Sequence, residues 1–139
     1  MAMVYTFSTV GKILTGVAQP IIYCVSDAEL EAEAVSIGKS LAEKLIKCNV
    51  KMRSIRMEQI FLEAINNLPD NVLVKDIDVL FHPAYQIDVL AVLKNACRKK
   101  PFRLLWSGTY RDGKLIYAEE GFADYKTYNL NQYDITCII

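Results

Sequence analysis

Gly38-Lys39-Ser40 is the group of residues whose types and order most directly suggest chemistry. The tripeptide is the tail of the pattern G-x-x-x-x-G-K-[ST]. In that pattern backbone N–H groups at a helix start cradle phosphate oxygens, the lysine neutralises charge and the hydroxyl holds magnesium. On this reading Gly38, Lys39 and Ser40 bind the phosphates of ATP, and Ser40 also ligates Mg. The pattern's first glycine is missing, because Glu33 stands in its place. A side chain there blocks close approach of the backbone to phosphate, and its carboxylate repels a polyanion.

A second candidate group follows the apolar run VLVKDID, where Asp76 or Asp78 ends a strand in the way that holds magnesium through water. Asp76 is the stronger metal candidate, and both are candidate catalytic acids. Lys75 interrupts the apolar run and offers these acids an ion-pair partner, so an acidic strand-end turn is the plainer alternative. After FRLLW, Ser107 and Thr109 stand where a strand end can sense a γ-phosphate, or where a polar turn at Gly108 simply needs them. His82, the one histidine, has no cysteine or second histidine near it in sequence and reads as a loop residue. Arg98, Lys99, Lys100 and Arg103 cluster at a helix end, where cations complement the helix dipole; nucleic-acid or partner contact is the minor alternative.

The elements that must position these residues follow from hydrophobic spacing. IIYCV (21 to 25) reads as a core strand covered on both faces. From Asp27 to Ile46 the residues Leu30, Ala34, Ile37, Leu41 and Leu45 recur at steps of three and four, which predicts one continuous helix started by a Ser26–Glu29 capping box. Such a helix puts Lys39 about 18 Å from the N-terminal amides, too far to cradle phosphate. Whether residues 25 to 41 form one helix, or a loop and then a helix, therefore separates the structural reading from the nucleotide one.

Residues 49–55 are expected as a strand, 56–68 as a helix, 71–81 as a strand, 85–100 as a helix and 102–106 as a strand. Asp112-Gly113 lies between two β-rich arms and predicts a hairpin. YDITCII closes the chain as a strand, and residues 2 to 16 are a candidate short helix. Strands alternating with helices imply an α/β domain over 1–139, with a mostly parallel sheet flanked by helices and a late β-hairpin.

Composition narrows the setting. The 139 residues are 53% hydrophobic and 23% charged, a globular balance able to bury a core without metals or disulfides. Sixteen cations cancel sixteen anions, so there is no overall field to draw the chain onto DNA or anionic lipid, and contact with either must be local. Cys24, Cys48, Cys97 and Cys137 lack the close spacing of a zinc or redox motif and read as buried thiols of a reducing compartment. With neither a signal-peptide pattern nor a membrane-length apolar run, cytoplasmic residence is expected.

Residues 76–130 resemble the C-terminal half of the small P-loop protein of type-3 bacteriophage-exclusion (BREX) systems. The likeness lies in an acidic strand ending in Leu80-Phe81, the Asp88-Val89-Leu90 helix, the Trp106-x-Gly108 strand end, the Gly113-x-Leu115-x-Tyr117-Ala118 hairpin and a late tyrosine-rich stretch. The resemblance implies a P-loop NTPase, AAA-like core. It also implies a nucleotide site at Gly38, Lys39, Ser40 and Asp76 or Asp78, and service to larger protein subunits of an antiphage complex, with DNA touched only indirectly or weakly. The expected function is thus an ATP- and Mg-binding subunit with weak or partner-dependent hydrolysis. The alternative is a non-catalytic interaction module that kept the fold and lost the phosphate loop. The hairpin strands can also pair edge to edge with another copy, which would make a homo-oligomer.

Overall fold

The computed structural model describes residues 3–10 and 20–139. In chain order it contains β1 (Met3–Tyr5), α1 (Phe7–Val10), β2 (Ile21–Tyr23), α2 (Ala28–Glu33), β3 (Val35–Ser36), α3 (Gly38–Lys47) and α4 (Met57–Ile65). There follow β4 (Val72–Lys75), α5 (Val89–Lys99), β5 (Phe102–Leu105), β6 (Thr109–Arg111), β7 (Lys114–Tyr117), β8 (Lys126–Asn129) and β9 (Thr136–Ile138). Among the described residues six strands form a sheet in the order β1-β9-β2-β5-β4-β3, and every neighbouring pair is parallel. Strands β6, β7 and β8 form a separate antiparallel meander between β5 and β9. The expected α/β architecture with a mostly parallel sheet and a late hairpin is therefore present.

Alternation along the strands sends side chains to two faces. Ile22, Val74, Leu104 and Cys137 join the larger core with α3, α4 and α5, whereas Ile21, Tyr23, Leu73, Leu105 and Ile138 pack with Leu30 of α2 on the other face. This division explains why the expected continuous helix from Asp27 to Ile46 does not form. Leu30 must reach one face of the sheet and Leu41 and Leu45 the other, and a straight helix cannot do both. The chain instead leaves α2 at Ala34, pairs Val35 and Ser36 with Val74 and Lys75 along β4, and restarts as α3 at Gly38.

The cap of α2 also lies one residue beyond the Ser26–Glu29 box, because Asp27 Oδ2 accepts from Leu30 N at 3.0 Å. Replacing Asp27 by alanine removes that acceptor and is expected to cost about 1 kcal/mol. A urea titration checks this, and an unchanged midpoint would count against the cap.

Other boundaries move for local reasons. The segment 49–55 is not a strand but a 3-10 helix (Val50–Met52) capped by Asn49, followed by a turn. The strand expected over 71–81 stops at Lys75, because Asp76 takes a positive φ of 64° and residues Asp78–Phe81 coil into a 3-10 turn. At the hairpin, Asp112 (φ 51°) and Gly113 (φ 75°) supply the left-handed pair that a tight two-residue turn needs. Of the segment 2 to 16 expected as a helix, Met3–Tyr5 forms a strand and Phe7–Val10 forms α1, while residues 2 and 11–16 lie outside the described residues. No helix among the described residues is long and apolar enough to cross a membrane.

Candidate functional site

Open parallel sheets bind ligands beyond the carboxyl ends of their strands, where the chain connections part to opposite sides. Here β2 leads towards β3 on one side, while β5 leads through the meander to β9 on the other. The crevice between the ends of β2 and β5 holds two adjoining cavities that share Glu31, Leu105 and Trp106 as lining. One, of about 400 Å³, lies against Cys24, Val25 and Ser26 after β2 and Gly108 and Thr109 after β5. The other, of about 280 Å³, is lined by Lys75, Asp76, Asp78 and Ser107.

The fold thus brings three of the sequence candidates, Asp76, Asp78 and Ser107, to one cavity. Asp78 is already engaged: its Oδ1 accepts from Tyr117 Oη at 2.9 Å and its Oδ2 from Ser107 Oγ at 3.5 Å. Burial, then the hydrogen bond and charge of Asp78, push the Tyr117 phenol above its ordinary pKa, so Tyr117 remains a donor at neutral pH. Lys75 Nζ is held by Glu31 Oε2 at 3.1 Å across the cavity mouth. Glu33, in the missing glycine's position, accepts from Arg103 Nη2 at 2.6 Å. Both cations are thus neutralised by carboxylates of α2, Lys75 at the carboxyl end of β4 and Arg103 near the amino end of β5.

Gly38, Lys39 and Ser40 open α3, so Lys39 is the second residue of a helix rather than a mid-helix residue. The amides of this first turn have no acceptor within the helix. Their surroundings are nevertheless wrong for a triphosphate. A Cβ added to Gly38 would sit 3.0 Å from the Asp76 carbonyl oxygen and 3.3 Å from Asp76 Cβ, so the start of α3 is pressed against an acidic residue. The Lys39 side chain is 92% exposed and points along its own helix to Glu43 at 4.0 Å. Lys39 and Ser40 are not among the residues lining the two cavities. Nor do His, Cys, Asp or Glu side chains gather in threes around a metal position among the described residues. The residues present do not fit a Mg-ATP cradle in this arrangement.

The remaining candidates have structural partners. His82 Nδ1 accepts from Ala84 N at 3.2 Å and caps the short 3-10 helix Pro83–Tyr85, as a loop histidine does. Lys99, Lys100 and Arg103 of the basic cluster pair with Glu58, Asp70 and Glu33. The four cysteines are free thiols, and only Cys137 is fully buried. A hydrogen bond with Cys137, burial and that neighbour's charge raise the Cys24 pKa, which keeps this cavity-lining thiol protonated and poorly nucleophilic.

Sequence reasoning missed Glu31 as part of the crevice, because helical spacing conceals the break after Glu33 that lets α2 pack apart from α3. It also missed Tyr117, whose alternation with Leu115 along β7 was the available signal that both point inward. Compared with known families, curated proteins and solved structures, the chain matches no family model, no curated protein and no solved structure.

Proposed function

We propose that this chain is a non-catalytic interaction subunit of a bacterial antiphage assembly, in which a P-loop-like sheet is kept as a scaffold and its strand-end crevice no longer handles nucleotide. The observation that carries the reading is the pairing of Lys75, the one cation lining the smaller cavity, with Glu31, which leaves the carboxylates of Asp76 and Asp78 there without a cation. Unpaired negative charge in a half-enclosed cleft repels a polyanion. The antiphage setting rests on the resemblance across residues 76–130, and the partners it implies are larger protein subunits, with DNA contacted through them.

The nucleotide-binding reading retains one observation of its own, the start of α3 at Gly38 with its first-turn amides outside the helical ladder. Isothermal titration separates the two. With Mg-ATP raised to about 1 mM, a concentration at which a site worth 4 kcal/mol would be half filled, the wild-type chain is expected to give dilution heat alone. Saturable heat that disappears in Lys39→Ala or Asp76→Asn would overturn the scaffold reading in favour of an ATP-binding subunit.

A further inference from the structure

The neutral net charge of this chain conceals two segregated surfaces. Between Glu43 and Glu58 the sequence carries Lys44, Lys47, Lys51, Arg53 and Arg56 and no acid. None of these five is ion-paired among the described residues, whereas Lys75, Lys94, Lys99, Lys100 and Arg103 all are. The same stretch exposes aliphatic side chains that ordinary packing would bury: Ile46 is 75% exposed, Val50 69% and Ile55 77%. The surface is held in shape by Asn49 Oδ1 accepting from Lys51 N at 3.0 Å, Arg53 Nε donating to the Cys48 carbonyl at 3.2 Å and Ser54 Oγ donating to the Tyr85 carbonyl at 2.8 Å.

The opposite chemistry lies beside it. Between Lys114 and Lys126 the chain carries Glu119, Glu120 and Asp124 and no cation, and these three acids too lack ion pairs among the described residues. In their midst Phe122 is 64% exposed, at the rim of a mainly apolar cavity of about 410 Å³. Phe81, Val79 and Pro83 line that cavity, and Asp78 and Asp124 stand in its wall. The two surfaces are neighbours, because the Tyr85 that holds Ser54 has its ring 5.3 Å from that of His82, another lining residue.

We infer that the occupant of both surfaces is a second copy of this chain. A two-fold axis between neighbouring complementary patches sets each against its opposite twice, which is the arrangement of an isologous dimer. Exposed aliphatics of 46–55 then enter the aromatic-rimmed cavity of the partner, and the cations of 44–56 face its Glu119, Glu120 and Asp124. A nucleic acid would satisfy the cations but leave the aliphatics in water, and it is repelled by the acidic neighbour; the paired surfaces satisfy both. This interface touches the strand-end crevice only through Asp78, which lines a cavity of each, and the charged and aliphatic residues that carry it lie outside the crevice.

Light scattering and sedimentation of the full chain test the inference. At about 50 mM salt the mass is expected to rise with concentration towards two chains, and at about 500 mM, where the Debye length is a few ångströms, to fall back towards one. Lys51→Glu with Arg56→Glu, and separately Glu119→Lys with Glu120→Lys, each weaken association about tenfold or more. An equimolar mixture of the two reversed chains restores it, since both contacts of the dimer are again opposite in sign. Ile55→Ser weakens the wild-type dimer without changing its charge, and all five substituted positions are exposed, so far-ultraviolet circular dichroism stays that of the wild type. A wild type that stays monomeric at every concentration overturns the inference and leaves both surfaces to other partners. A dimer indifferent to both reversals, or a mixture that remains monomeric, overturns it equally.

Discussion

Replacing Phe81 by alanine is expected to remove about 3–5 kcal/mol of stability, the range for losing a fully buried phenyl ring from a packed core. Phe81 is 2% exposed and stands at the junction of the two sheets. Its ring stacks on Tyr117 of β7 with centroids 3.8 Å apart and planes 7° apart. It meets Trp106 edge-on at 5.6 Å and Tyr128 of β8 at 6.4 Å. Because Phe81 follows β4 while Tyr117 and Tyr128 belong to the meander, one side chain fastens the antiparallel sheet to the parallel one. A domain of ordinary stability holds about 5–15 kcal/mol in total, so the variant should unfold at far lower urea or lose a distinct meander transition. Trp106, the one tryptophan, lies within this cluster and reports the change by fluorescence. A loss below about 1 kcal/mol would mean that the meander is held elsewhere.

Where one kind of packing governed a segment, the sequence was legible. α4 and α5 each bury one stripe against a single face, and their three-and-four spacing places them within a few residues. β2 is apolar on both faces and β5 is apolar but for Arg103, and their short hydrophobic runs announce both as strands of the sheet interior. Asp112-Gly113 specified its turn by chemistry alone, since both residues tolerate the positive φ they adopt. Residues 27 to 46 misled because helical periodicity is blind to which side of a sheet a residue must reach. Leu30 and Leu41 fit one stripe on paper yet belong to different cores.

The candidate site followed the same division. That Asp76, Asp78 and Ser107 share a cavity follows from strand ends, which local pattern locates. That Lys75 and Arg103 are neutralised by Glu31 and Glu33 depends on pairings 44 and 70 residues apart in the chain, and no local pattern carries those. Segment 49–55 failed as a strand for a related reason. Its apolar residues are exposed rather than alternating into a core, and apolar content alone does not reveal whether water or protein covers a side chain.

Gly108→Ala should be nearly as damaging as the loss of Phe81 although it adds a single methyl group. The new Cβ would lie 1.9 Å from the Ile116 carbonyl oxygen, 3.0 Å from the Ile116 carbonyl carbon and 2.8 Å from Trp106 Nε1. Two of these three atoms are backbone, so no side-chain rotation relieves the clash and β7 must move. That carbonyl also accepts the Trp106 indole N–H at 3.1 Å, and Trp106 is almost fully buried, so displacing the strand leaves a donor unsatisfied. Overpacking and the broken hydrogen bond together should cost about 2–5 kcal/mol, with Trp106 emission shifted to the red as the cluster opens. Gly113→Ala provides the contrast. Nothing lies within 4 Å of its added Cβ, and only its φ of 75° is strained, so the cost should be about 1 kcal/mol with no change in emission. If both variants lose stability equally, turn conformation rather than close approach holds the meander. A Gly108→Ala chain with the wild-type midpoint and emission would show that the strand end after β5 is not pressed against β7.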